Sequence, residues 1–441
     1  NYLLTTREQF DLIVSEPSNP WIAGVSALFT DEFYREAKMR LAPGGLFVQW
    51  VQAYSLFPDD FRMILATLAP HFPQVSLWRA ASSDYLLLAQ VEAKPPLELD
   101  RLQALWRYDG LRSDFEELGM RRPEGILGFH RLDDADVRRL VAGAPRNTDD
   151  RTQLEYNAPR ALLASSLESE NAQMIWEHRS QPIPSVVRID DPNLAMLGAA
   201  ETMLNNGGTD DAERFLLALA GAPSTVDLEL VRGRVALEQN RYADARTAFR
   251  AALALAPASL EAVHGLGELA RKQIDFDTAA LLLRQILARD PNYRPGLESM
   301  RNLERSRANW VGALPWQRRL TEMDPSEDEL SALGEILLRT GDTAGAENYF
   351  TRALAKDEYS YSAHRNLGEV YLRAGRPDRA LPHLEHVVRL DPDTEAGVYI
   401  SIADVYRRLG RPQDARAAIE KGRRLFPANS ELTDAARGSE P

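Results

Sequence analysis

The spacing of apolar positions changes several times along the first ninety residues. Phe10 and Leu12-Ile13-Val14 form a short apolar run ending at Ser15-Glu16, and the chain then turns through Pro17-Ser18-Asn19-Pro20-Trp21. This reads as a buried strand followed by a two-proline turn. Thr30-Asp31-Glu32 opens a helix, a capping hydroxyl followed by two acids suited to the positive end of the helix dipole. Phe33, Ala37 and Leu41 keep one face of it apolar, and Pro43-Gly44-Gly45 stops it. Residues 46–51 read as a second strand, and Pro58-Asp59-Asp60 starts a second helix with Phe61, Ile64, Leu65 and Leu68 on one face. Residues 75–78 and 85–91 are further strands, antiparallel across Ser82-Ser83. Alternating strands and helices predict a mostly parallel sheet covered on both faces. Residues 92–165 are more polar and read as helical. Residues 166–191, with Pro182 and Pro184, read as a linker or first joining helix.

From about residue 192 the pattern repeats. Pro257, Pro291 and Pro325 stand 34 residues apart, and Asp290, Asp324, Asp357 and Asp391 recur at intervals of 33 or 34. Gly233, Gly267, Gly334 and Gly368 precede this punctuation, and Ala245, Ala279, Ala313, Ala346, Ala380 and Ala415 fall midway. Small residues let two helices approach closely, and proline breaks the chain between pairs. The period and its Leu-Gly, Ala and Pro positions resemble the tetratricopeptide repeat (TPR). Six units run from about 226 to 430, with a degenerate seventh starting near Pro192. The third unit is the weakest, with Arg301 at its glycine position and Trp310 and Trp316 at its turn.

Composition narrows the functional classes. The 441 residues suffice for two or three domains. With 52 basic and 65 acidic residues the net charge is −13, which disfavours nucleic-acid binding through phosphate neutralisation but suits a cationic ligand. The absence of cysteine excludes disulfides, thiolate metal sites and a cysteine nucleophile. No metal is expected. The opening Asn1-Tyr2, with a core strand only ten residues on, points to a piece that begins partway through a domain.

In open α/β sheets ligands bind beyond the carboxyl ends of the strands. Two polar groups are expected there: Glu16 with Ser18 and Asn19, and Gln49 with Gln52 and Tyr54. On residues alone, Glu16 reads equally well as a solvated loop carboxylate. The strings FDLIVSEPSNPW, LFTDEFYREAKMRLAPGGLFVQW and LWRAASSDYLLLAQ together resemble the second half of the spermidine synthase (polyamine aminopropyltransferase) family, and NTDDRTQLEYNAPR resembles the end of its bacterial, module-fused branch. The resemblance covers about residues 1–160.

It implies a Rossmann-like, methyltransferase-type α/β domain, here partial, followed by an all-α TPR superhelix. The expected domains are 1–165, a linker at 166–191, repeats at 192–430 and a tail at 431–441. It further implies transfer of an aminopropyl group from decarboxylated S-adenosylmethionine to a polyamine or other small amine. Glu16 falls on the family's catalytic Asp, and Asn19 on its second diamine-binding Asp. Ser18, Trp21, Gln49, Gln52, Tyr54, Asp149 and Asp150 are the expected substrate contacts, and Pro20 and Gly24 lie along the nucleoside. Asn19 cannot neutralise an ammonium, and Trp21-Ile22-Ala23-Gly24 replaces the family's Gly-Pro; both departures bear on putrescine as substrate. The family's glycine-rich nucleoside loop is expected upstream of Asn1, so this chain alone is expected to be inactive. Two other readings stand beside this one: a non-catalytic TPR scaffold binding a peptide or protein on its concave face, and an S-adenosylmethionine-dependent methyltransferase. The expected compartment is the cytoplasm, with tethering through an upstream membrane segment as the alternative. Oligomeric state is open.

Overall fold

The computed structural model describes residues 2–437 apart from 18–21, 23, 81, 82, 94–96, 163, 165, 186 and 394. Seven strands occur among them: β1 (Phe10–Ser15), β2 (Leu41–Gln52), β3 (Gln74–Arg79), β4 (Asp84–Gln90), β5 (Leu97–Glu98), β6 (His130–Leu132) and β7 (Val187–Arg188). Five form one sheet in the order β1-β2-β4-β3-β6; β5 and β7 pair separately.

The helix Asp31–Met39 begins as its sequence dictates, with the Thr30 hydroxyl accepting from the Phe33 backbone N–H at 3.3 Å. It stops at Arg40 rather than at the glycines. Leu41 already pairs with Phe10, so β2 runs through Pro43-Gly44-Gly45 as an irregular start, with Gly44 in the left-handed region. The second helix, Pro58–Leu68, buries Phe61, Ile64, Leu65 and Leu68 completely.

Two expectations change. Within the five-stranded sheet only β1–β2 is parallel; β2–β4, β4–β3 and β3–β6 are antiparallel. The short turn between β3 and β4 permits only a hairpin, and β6, hidden in a stretch read as helical, returns beside β3. The sheet is also buried on one face rather than two. Phe47, Val51, Val75, Leu77, Leu87 and Ala89 join a core with the helices Pro58–Leu68, Asp134–Leu140 and Leu167–His178. On the other face Leu12 and Val14 are 53% and 60% exposed, so β1 is an open edge strand, not a buried one. Burial alternates residue by residue along β4 and from Gly45 to Val51 of β2, although the near-continuous apolar runs of these strands read as buried on both faces.

The segment after residue 166 is not loose. Its helix Leu167–His178 places Asn171, whose amide donates to the Ala53 and Leu56 carbonyls at 2.9 and 2.7 Å. Seven helix pairs follow, from Pro192–Asn205 with Thr209–Ala218 to Ala396–Arg408 with Pro412–Leu425. The chain divides into two compact units, Asn1–Leu255 and Ala256–Pro441.

Within each pair the turn passes through one left-handed residue: Gly207, Asn240, Ile274, Ala308, Gly341, Gly375 and Gly410 in order. The repeat glycines have a different use. A Cβ on Gly233 would lie 2.5 Å from the Phe249 ring, and one on Gly334 2.7 Å from Phe350, sixteen residues on in both cases. In the third clear unit the corresponding residues are Arg301 and Gln317. Arg301 Nη1 donates to Gln317 Oε1 at 2.9 Å, and the wholly buried Gln317 amide donates to Glu329 Oε2 at 2.7 Å. A polar chain thus replaces the glycine-on-ring contact.

Candidate functional site

Parallel pairing of β1 with β2 sets Ser15 opposite Gln49, so both strands end at the same sheet edge. Glu16 follows Ser15 directly and is exposed. Gln49 does not face solvent: it is wholly buried, and its amide nitrogen reaches the Ser15 carbonyl at 3.5 Å and the Trp50 carbonyl at 3.3 Å. It therefore ties the end of β1 to β2, which holds the strand from which Glu16 emerges. Its Oε1 has no hydrogen-bond partner among the described residues. Gln52 is also buried, whereas Tyr54 is exposed.

One residue at this edge escaped the sequence reading. The β2–β4 ladder sets Asp84 opposite Gln52, and the Ala53 N–H donates to the Ser83 carbonyl at 2.8 Å. Burial, then the charge of Glu168, pushes the Asp84 carboxyl above its ordinary range. Burial, then the charge of Asp84, raises the Tyr54 hydroxyl. Glu16 after β1, Tyr54 after β2 and Asp84 at the start of β4 therefore lie at the same sheet edge, offering two carboxyl groups and, in Tyr54, a hydroxyl that stays protonated. No motif marks Asp84 in the sequence: the ladder between β2 and β4, strands not adjacent in the chain, sets it opposite the end of β2.

The stretch carrying Asp149 and Asp150 packs against residues 26–32. Buried Asn147 accepts the Leu154 N–H and donates its amide to the Ser26 and Phe29 carbonyls, while the Asp31 N–H donates to the Asn147 carbonyl. The two Asp side chains nevertheless sit exposed in the turn closed by Thr148 and Arg151, and the Asp149 N–H donates to Glu32. The acid that reaches the segment after the opening turn is Glu155, whose Oε2 accepts from Ser26 Oγ at 3.3 Å. Gly24 takes a left-handed conformation, φ 84°, ahead of the short helical turn Val25–Phe29. Ser18, Asn19, Pro20 and Trp21 lie outside the described residues.

Two tetratricopeptide repeat family models match the helical part, one over residues 230–294 and 331–394, the other over 371–436. The chain carries tetratricopeptide repeats. The gap between the first two TPR matches, 295–330, is the unit in which Arg301 and Gln317 replace glycine and ring. The chain is also similar to the polyamine aminopropyltransferases of Salmonella arizonae, 35% identical over 85 residues, and Buchnera aphidicola, 32% identical over 85 residues. Each match takes in 19% of this chain and 29% of the relative, so the chain spans under a third of those proteins' length. Among solved structures, the C-terminal part of a TPR protein from Cytophaga hutchinsonii aligns with TM-score 0.44 and 14% identity, over 54% of this chain and 98% of that one. Pseudomonas aeruginosa pilF aligns with TM-score 0.40 and 16% identity, over 47% and 95%. Among the described residues no helix is long and apolar enough to cross a membrane, and no cluster of His, Asp and Glu could hold a metal ion.

Proposed function

We propose that this chain joins the amine-accepting edge of an aminopropyltransferase-like site to a TPR scaffold that binds a peptide or protein partner. The observation that carries the reading is the shared edge of β1 and β2, where Glu16 stands with Tyr54 and Asp84 and where a small polyvalent cation would find negative charge. Glu16 is the base that takes a proton from the attacking ammonium. The freed amine nitrogen bonds to the aminopropyl carbon of decarboxylated S-adenosylmethionine as the carbon–sulfur bond breaks, and methylthioadenosine leaves with the electron pair. Positioning and one base suffice for such a displacement. Asp84 supports it by supplying the second carboxylate that Asn19 lacks.

The test is methylthioadenosine release by the complete protein supplied with decarboxylated S-adenosylmethionine and a diamine. Glu16→Gln is expected to lower turnover by about 10²-fold or more, the usual contribution of a general base, with nucleoside affinity retained. Unchanged turnover puts the base elsewhere. No release by the unaltered protein with any amine supports the second reading, a non-catalytic scaffold, which is favoured by the exposure of Glu16. Methyl transfer from S-adenosylmethionine in the same assay would instead support the methyltransferase reading.

A further inference from the structure

Farther along the sheet a different charge gathers. Arg79 ends β3, Arg131 lies within β6, Trp176 is on the helix Leu167–His178, and Arg214 is on Thr209–Ala218, all within the first compact unit. They surround one buried carboxylate. Asp211 Oδ2 accepts from Arg131 at 2.8 Å and from Arg79 at 3.0 Å, while its Oδ1 accepts from the Trp176 indole N–H at 3.0 Å and from Arg214 at 3.4 Å. Arg179 and Arg214 stack on the Trp176 ring at 4.7 and 4.2 Å. Arg79, Arg131, Trp176, Asp211 and Arg214 border a pocket of about 580 Å³, within the usual range for small-molecule sites.

The charge there is not balanced. Glu177 and Asp210 stand at the pocket's exposed rim, where solvent screens them. In the buried part of the lining a single carboxylate, Asp211, answers two guanidinium groups, Arg79 and Arg131, while Arg214 reaches in from the exposed rim. One guanidinium donor of the lining, Arg79 Nε, is buried with no partner among the described residues. Burial holds the Arg131 guanidinium down to about 10, with Asp211 opposing and Arg79 adding to the effect. Burial and then the charge of Arg131 hold Arg179 down to about 9. An ion network that served only to fasten the helix to the sheet would need fewer cations and would leave no donor empty.

We infer that this pocket binds a phosphate-bearing small molecule, with Arg79, Arg131 and Arg214 as the anion clamp and Asp211 as an internal carboxylate the ligand competes with. A dianion suits the surplus charge better than a monocarboxylate does, and guanidinium forks match phosphate oxygens. The proposal does not depend on transferase activity.

The test is calorimetry on the full chain with inorganic phosphate, against chloride at equal ionic strength and with malonate as a carboxylate arm. Saturable binding of phosphate is expected. Asp211→Asn removes the competitor and should tighten it about 10-fold; Arg79→Gln and Arg214→Gln should each weaken it about 10-fold, the ratio of one charged hydrogen bond. Should the Asn variant unfold, the exposed Arg214 and its Gln variant decide the matter. Phosphate heats equal to chloride, or equal binding by the Gln variants and the unaltered chain, would overturn the proposal, and tighter malonate binding would replace the phosphate by a carboxylate ligand.

Discussion

The α/β portion and the repeats bury apolar surface in opposite ways. In the sheet region one core gathers residues from Phe29 to Ile175, so each side chain depends on partners far along the chain. In the repeats a residue meets partners sixteen or thirty-odd positions away, as in Gly334 on Phe350 or Arg294 on Asp324 and Glu329. Non-local cores respond to damage as a whole, whereas repeat stability is close to a sum over neighbours. The region that carries the candidate chemistry is thus also the one whose positions are set by distant contacts.

That contrast can be broken most sharply at Phe47. It is wholly buried and its ring meets Phe33, Tyr34 and Phe72. Phe47→Ala should cost about 3–5 kcal/mol and melt the sheet region in one step. Denaturant unfolding followed by circular dichroism checks this; a local, uncooperative change would show that the sheet has no single core.

Within the repeats, glycine substitutions should differ in sign. Gly334→Ala forces a Cβ against the Phe350 ring and should destabilise by about 1–3 kcal/mol. A Cβ on Gly267 meets Leu283 at an ordinary 3.5 Å, so Gly267→Ala should stabilise by up to about 1 kcal/mol through helix propensity. Equal effects in thermal melts would refute the close-contact account.

The fifth clear unit of the repeats carries a cluster of histidines. His364 Nδ1 lies 2.9 Å from His383 Nδ1, and the rings of His364 and His386 stack at 4.1 Å. Burial, then the charges of His364 and His386, lower His383 to about 4. Its folded value lies below the unfolded one, so the native state binds fewer protons and stability falls as pH drops from about 6.5 to 4. His383 is only half-buried, so solvent screening limits the loss to about 1–2 kcal/mol. His383→Gln should flatten the pH dependence of unfolding across that window; an unchanged slope places the titration elsewhere.

The smallest expected effect is at a turn. Ile274 is a β-branched residue at φ 64° and 74% exposed, where Gly, Asn or Ala stands in the other hairpins. Ile274→Gly should relieve left-handed strain and stabilise by about 1 kcal/mol. A lower melting temperature would contradict this.

The period of 34, the helix starts at Thr30 and Pro58, the β3–β4 hairpin and the weakness of the third clear unit were all legible along the chain. Each depends on residues close in sequence: a cap, a turn, a small residue facing a neighbouring helix. The antiparallel direction of β2–β4 and β3–β6, the strand β6 itself, the burial of Gln49 and the position of Asp84 were not. They follow from which strand lies beside which, and side-chain periodicity is the same for parallel and antiparallel partners. The arginine pocket was the least visible of all. Arg79, Arg131, Trp176 and Asp211 span more than 130 residues and carry no common motif, and only the packing of the helix Thr209–Ala218 beside the ends of β3 and β6 brings their charges together. Local chemistry along the chain therefore determined the elements and the repeat. Long-range packing decided which charges became neighbours, because electrostatic pairing depends on distance in space and leaves no period in the sequence.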